Sequence, residues 1–79
     1  MNKNIKNTII KIVNSQLSDD MKSDHIENVY LDELDLDSLD RLEIIMSLEE
    51  TFDIHIKDKE AGSWETVKDI IEYIEKRIL

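Results

Sequence analysis

Residues 38–52 read Ser38-Leu39-Asp40-Arg41-Leu42-Glu43-Ile44-Ile45-Met46-Ser47-Leu48-Glu49-Glu50-Thr51-Phe52. At about 100° per residue, Ile44, Leu48, Phe52 and Ile45 fall between roughly 140° and 240° from Leu39, an ordinary core stripe. Leu39, Leu42 and Met46 fall on the opposite side, at roughly 0°, 300° and 340°. Glu43, Glu49, Glu50 and Asp40 border that second line. A helix packed on one side of a small bundle has no packing use for two apolar faces. Single surface leucines and methionines are ordinary, and the pattern alone weighs evenly between that reading and a docking stripe. Such a stripe, apolar at its centre and rimmed by carboxylates, suits a partner whose groove is ringed by bases.

Upstream, Ile5, Ile9, Ile12, Val13 and Leu17 keep a helical period, which predicts a helix over residues 3–16. Its lysines followed by apolar residues imitate a targeting segment. Lys11 interrupts the apolar run, however, and no small-residue cleavage site follows, so a cytoplasmic protein is expected. Residues 17–37 lack sustained periodicity; a loop of that length in so short a chain is either functional or a misassigned element. Leu17, Ile26, Val29, Tyr30, Leu31 and Leu34 are expected to pin it to the core. Downstream, a short helix is predicted near 58–62, opened by Asp58 and closed at Gly62. A last helix over 66–77, capped by Ser63 or Thr66, turns Val67, Ile70, Ile71, Ile74 and Ile78 inward, with Trp64 covering the core beside it. The expected fold is all-α: three main helices plus one short helix, with a long first loop, in one domain spanning 1–79.

Composition narrows the functions. With 79 residues, the chain has room for one small core and none for a separate catalytic domain. The absence of cysteine excludes disulfides, zinc–thiolate sites and thiol catalysis, and a single glycine argues against a phosphate-cradling loop. A net charge of −9 opposes nucleic-acid binding and an anionic membrane surface, and favours a basic protein partner. The charge is uneven: residues 1–18 carry three lysines and no acid, whereas residues 32–60 hold eleven acids against three bases. With a core this small, stability is expected to be modest and to rise with salt or divalent cations.

Ser38, where the loop becomes helix, reads first as an N-cap. Neither His25 nor His55 completes a Ser-His-Asp arrangement with it. A calcium loop starting at Asp32 fails too, because Leu34, Leu36 and Asp37 stand where two oxygen ligands and a glycine are needed.

The run Tyr30-Leu31-Asp32-Glu33-Leu34-Asp35-Leu36-Asp37-Ser38-Leu39-Asp40 resembles the acyl carrier protein family. So do Leu42-Glu43-Ile44, the Leu48-Glu49-Glu50-Thr51-Phe52 helix end, and Thr66-Val67, Ile70 and Tyr73-Ile74. The likeness runs without a gap from about Tyr30 to Ile74 and rests on more than the short Asp-Ser-Leu triplet. It implies a free-standing four-helix carrier, not an enzyme, whose Ser38 receives 4′-phosphopantetheine from coenzyme A through a separate phosphopantetheinyl transferase. Acyl groups then travel as thioesters between enzymes of fatty acid biosynthesis. By the same resemblance, Asp37, Leu39, Asp40, Leu42, Glu43, Met46, Glu49 and Glu50 form the partner-docking helix, and the carrier acts as a monomer without nucleic acid or membrane insertion. A cleft between helices, lined by isoleucines and Met46, would admit the acyl chain.

Departures from the family pattern are Asp35 in place of a glycine, the cation Arg41, the basic pair Lys57 and Lys59, and a missing proline near position 57. Asp is among the few residues that tolerate the positive φ a glycine implies. The departures fit a dedicated partner set and, equally, drift. Other readings are a carrier for a polyketide, an amino acid or D-alanine, and a cofactor-free acidic adaptor using the same helix.

Overall fold

The computed structural model describes residues 2–78, with side chains from Asn4 onward; the side chain of Lys3, one of the N-terminal lysines, lies outside the described residues. Four α-helices follow in order: α1 (Asn2–Asn14), α2 (Ser38–Phe52), α3 (Asp58–Ala61) and α4 (Val67–Ile78). The fold class is all-α, as expected, and α2 starts and stops at the predicted residues. A 3-10 turn, Leu31–Leu34, interrupts the long first loop.

α1 packs against both α4 and α2. Ile9 and Val13 of α1, Leu48 of α2, and Val67 and Ile74 of α4 are fully removed from water and form the centre of the core. Ile10 is buried as well, which widens the buried face of α1 beyond the predicted stripe, while Ile5 and Ile12 sit at its edge. Ile78 does not face inward: as the last residue of α4 it passes beyond the layer of Ile74 and stays exposed.

The first loop is ordered by the start of α4. A helix N-terminus leaves N–H groups without intrahelical partners, and here the loop supplies carbonyls for two of them. Val67 N–H donates to Val29 O at 3.3 Å and Lys68 N–H to Glu27 O at 2.8 Å, while Leu31 N–H donates to Glu65 O at 2.8 Å. These bonds make one isolated antiparallel bridge, Tyr30 with Thr66. Side chains alternate along extended backbone, so Leu31 enters the core and Tyr30 points to solvent, against the expectation that both pin the loop. Leu17, Ile26 and Leu34 are buried as expected, and Lys6 fastens Glu27 to α1 at 2.7 Å. The hydrogen bond from Lys6 holds the Glu27 carboxyl below its ordinary range.

Thr66 is the cap of α4. Its Oγ1 accepts from Asp69 N–H at 3.2 Å, and the Asp69 carboxylate accepts from Thr66 N–H at 3.0 Å and Glu65 N–H at 2.8 Å. Ser63 instead donates to Glu60 O at the end of α3. The short helix begins at Asp58 and closes at Gly62 as expected, but its capping differs. Lys57 stands at its N-cap position without a side-chain bond, and Gly62 closes it at φ −67°, outside the left-handed region.

The bonds from Glu65 and Thr66 N–H hold the Asp69 carboxyl below the usual aspartate range. Its stabilising effect is therefore complete above about pH 4, the ordinary aspartate value, and fades as the pH falls through the lowered one. Asp69→Ala is expected to cost about 1 kcal/mol at neutral pH, measured by urea unfolding. The gap to the parent protein should close at strongly acidic pH.

Candidate functional site

Ser38 is not the N-cap of α2. Asp37 takes that position: its carboxylate accepts from Asp40 N–H at 2.8 Å, and the Asp40 carboxylate accepts from Asp37 N–H at 3.3 Å. An ionised carboxylate makes a stronger bond to a backbone N–H than a hydroxyl does, and a second acid three residues on completes a reciprocal box. Ser38 moves to the first helical residue, exposed and relieved of capping. Before it, Asp35 closes the 3-10 turn with φ 57° and ψ 41°, the left-handed conformation that the resemblance implies at this position.

The second apolar face of α2 is real. Leu39, Leu42 and Met46 are 62%, 51% and 54% exposed, while Ile44 and Leu48 are buried on the other side. Glu43 and Glu50 stand exposed beside the stripe. The remaining acids divide by task. Asp37 and Asp40 are engaged with each other's backbone at the helix start. Glu49 turns away from the stripe, and its Oε2 accepts from Ile56 N–H at 2.8 Å with His55 Nδ1 at 3.4 Å. An open groove of about 550 Å³ runs beside this face, lined by Glu43, Met46, Glu49, Glu50, Asp53 and residues Gln16 and Ser47. Gln16, Ser47 and Asp53 were not among the expected docking residues; Ser47 and Asp53 belong to α2 and its C-cap, whereas Gln16 comes from the segment after α1.

A smaller apolar cavity of about 220 Å³ lies between α2, α3 and the 3-10 turn. Leu31, Leu36, Ile44, Ile45, Ala61, Trp64 and Ile70 line it, with Arg41 and Asp58 among its polar residues. Met46 is not in this cleft; it projects from the opposite side of α2, into the acidic groove. The α3 wall is fastened to α4 by polar bonds. Tyr73 O–H donates to Glu60 Oε1 at 2.8 Å, and Arg77 Nη1 donates to Tyr73 Oη at 2.7 Å and to His55 O at 3.0 Å. The Tyr73 hydroxyl holds the Glu60 carboxyl low, whereas burial, and then Glu60 itself, push the Tyr73 phenol up. Trp64, buried as expected, meets the Tyr73 ring edge-on at 5.4 Å.

The carboxylates flanking Ser38 are committed to the helix start, which leaves its hydroxyl exposed and free of capping. An exposed serine beside an apolar, acid-rimmed stripe suits a carrier, a protein that bears a group and presents it to others. The sequence matches the family described as "Phosphopantetheine attachment site" over residues 7–74. It is 46% identical to the acyl carrier protein of Buchnera aphidicola subsp. Acyrthosiphon pisum (strain Tuc7), covering 98% of this chain and 96% of that one. It is 45% identical to the acyl carrier protein of Helicobacter hepaticus (strain ATCC 51449 / 3B1), over 81% of this chain and 84% of its relative. A third, from Syntrophobacter fumaroxidans (strain DSM 10017 / MPOB), is 44% identical over 86% and 84%. The chain belongs to the acyl carrier protein family.

It is a carrier of acyl groups on covalently bound 4′-phosphopantetheine, not an enzyme, and it interacts with acyl-processing enzymes. Among the described residues, no helix is long and apolar enough to cross a membrane.

The division among the acids is measurable. Glu49→Ala leaves the partly buried Ile56 N–H without its acceptor and is expected to lower unfolding free energy by about 1–3 kcal/mol. Glu43→Ala should stay within about 0.5 kcal/mol of the parent protein, both read by urea denaturation.

Proposed function

We propose that Ser38 Oγ is the atom that carries the arm, and that the chain shuttles intermediates of fatty acid biosynthesis in the cytoplasm as a monomeric, single carrier domain. The observation that carries the assignment is the displacement of Ser38 from the cap. Asp37 satisfies the helix start, so esterifying the hydroxyl removes no bond on which α2 depends. When bound, the arm supplies a terminal thiol for thioester linkage. The protein's own residues place that arm: Ser38 anchors it at the head of α2, and the exposed stripe beside it presents it.

Leu39, Leu42 and Met46 form the apolar centre of the docking face. Asp37, Asp40, Glu43 and Glu50 give it the negative rim that a basic transferase or synthase groove complements. Glu49 contributes charge to this rim while its carboxylate is tied to Ile56. The apolar lining of the 220 Å³ cavity supports an aliphatic load over an amino acid or D-alanine. At about 30 Å³ for the volume of one water, it would hold several waters or a short alkyl segment of similar bulk.

Incubation with coenzyme A and a promiscuous phosphopantetheinyl transferase should add one phosphopantetheinyl group to the intact mass. Ser38→Ala should abolish the gain. An unmodified parent protein, under conditions that convert a control carrier, overturns the assignment. Glu43→Lys is expected to weaken transferase binding up to about fivefold at low salt, the size of an exposed charge pair. It should also flatten the salt dependence of Kd, and unchanged affinity at low salt would remove Glu43 from the docking face.

A further inference from the structure

Between Lys22 and Lys57, Arg41 is the only lysine or arginine in the chain. Its angular position, roughly 200° from Leu39, lies in the middle of the core stripe of α2. It stands one turn before Ile44, the first buried residue of that helix. Arg41 therefore lines the mouth of the apolar cavity with Leu31, Leu36 and Ile45. Its head reaches back to the 3-10 turn, where Nη2 donates to Asp32 Oδ1 at 3.0 Å.

Helical side chains lean toward the N-terminus, over the residues three and four positions earlier. For Arg41 these are Ser38 and Asp37, and side chains three apart on a helix are neighbours, with Cβ atoms about 5–6 Å apart. The Asp32 side chain is 96% exposed, so its pair with Arg41 is weak and exchangeable. A guanidinium offers five N–H donors in a planar fork that matches phosphate oxygens. Meanwhile a phosphodiester on Ser38 would stand at a helix start bounded by Asp37 and Asp40, with Asp35 just before it. The helix start offers it limited relief, because Asp40 N–H is already bonded to Asp37. Arg41 is the only lysine or arginine close to Ser38 along the sequence.

We propose that Arg41 is a positioning residue for the prosthetic arm: its guanidinium exchanges Asp32 for the phosphodiester on Ser38 and holds the base of the arm beside the cavity mouth. This rests on Ser38 as the attachment atom. A purely structural Arg41, tying the 3-10 turn to α2, makes a different prediction. Then loss of either partner has the same effect, whereas under the proposal Asp32 competes with the phosphate and its removal acts in the opposite direction.

The test uses the full chain, loaded by a transferase and verified by intact mass, with phosphorus-31 NMR of the phosphodiester. At low salt the parent resonance should be displaced from that of Arg41→Gln, and the displacement should be lost as screening shortens from about 10 Å at 0.1 M to about 3 Å at 1 M. Asp32→Asn should enlarge it, and Arg41→Lys, which keeps a point charge without the fork, should retain part of it. If circular dichroism shows Arg41→Gln unfolded, the salt titration of the parent and Asp32→Asn decide the matter. Spectra of Arg41→Gln identical to the parent overturn the proposal. So does an Asp32→Asn shift in the direction of Arg41→Gln, or a parent resonance insensitive to both salt and Asp32. Absence of the mass gain, or its survival in Ser38→Ala, overturns the assignment of Ser38 and this proposal together. A normal gain with unresponsive spectra overturns Arg41 alone.

Discussion

Asp37 and Asp40 each accept the other's backbone N–H, and the position of every functional side chain follows from where that pair starts α2. A helix beginning one residue earlier or later would turn each side chain by about 100° relative to the start. With the box in place, Ser38 is the first helical residue and is free of capping. Ile44 and Leu48 meet the core, while Leu39, Leu42 and Met46 meet water. The charge of the two aspartates suits the helix macrodipole. It also makes the serine's surroundings negative, an electrostatic problem for a phosphate attached there as proposed.

The rest of the molecule holds α2 by its surroundings. The loop between α1 and α2 is joined by backbone bonds to the start of α4, and Ile26, Leu31 and Leu34 enter the core from it. α3 is fastened otherwise. It has no buried residue of its own, and the Glu60–Tyr73–Arg77 bonds tie it to α4. An element held by few apolar contacts belongs at the low end of local stability. The wall it provides is therefore the part of the apolar cavity most readily moved, while the layers around Leu48 and Ile74 stay fixed.

Negative charge performs two kinds of work on α2. Asp37, Asp40 and Glu49 satisfy backbone N–H groups of the helix start and of Ile56. Glu43 and Glu50 are exposed, and on the proposed docking face they would shape the field a partner meets. The same residue type thus serves as internal acceptor and external rim within one helix, and only the hydrogen bonds distinguish the two. Glu49 shows why charge position on a helical wheel is an incomplete guide: its angle places it at the rim, but its carboxylate is turned toward the following loop.

Much of the fold could be read along the chain because it depends on local rules. The 3.6-residue period of residues 38–52 located both faces of α2, and Thr66 capped α4 as its spacing with Asp69 allows. Asp35 adopted the positive φ that its place in the family pattern implied. The cap of α2 was misread because Ser and Asp are both good caps, and local propensity does not choose between neighbours when a reciprocal box is available. Tyr30 and Ile78 escaped their expected places for another reason. Whether a side chain is covered depends on which distant segment lies over it, here the alternation at the bridge to Thr66 and the end of the last core layer. Met46 stands on the exposed stripe where its helical angle puts it, and that same angle keeps it out of the cleft. The sequence by itself determined the helices, their faces and the family. Tertiary structure alone decided where the apolar cavity opens, and that Arg41 meets Asp32 beside it, because those outcomes join residues that no local period relates.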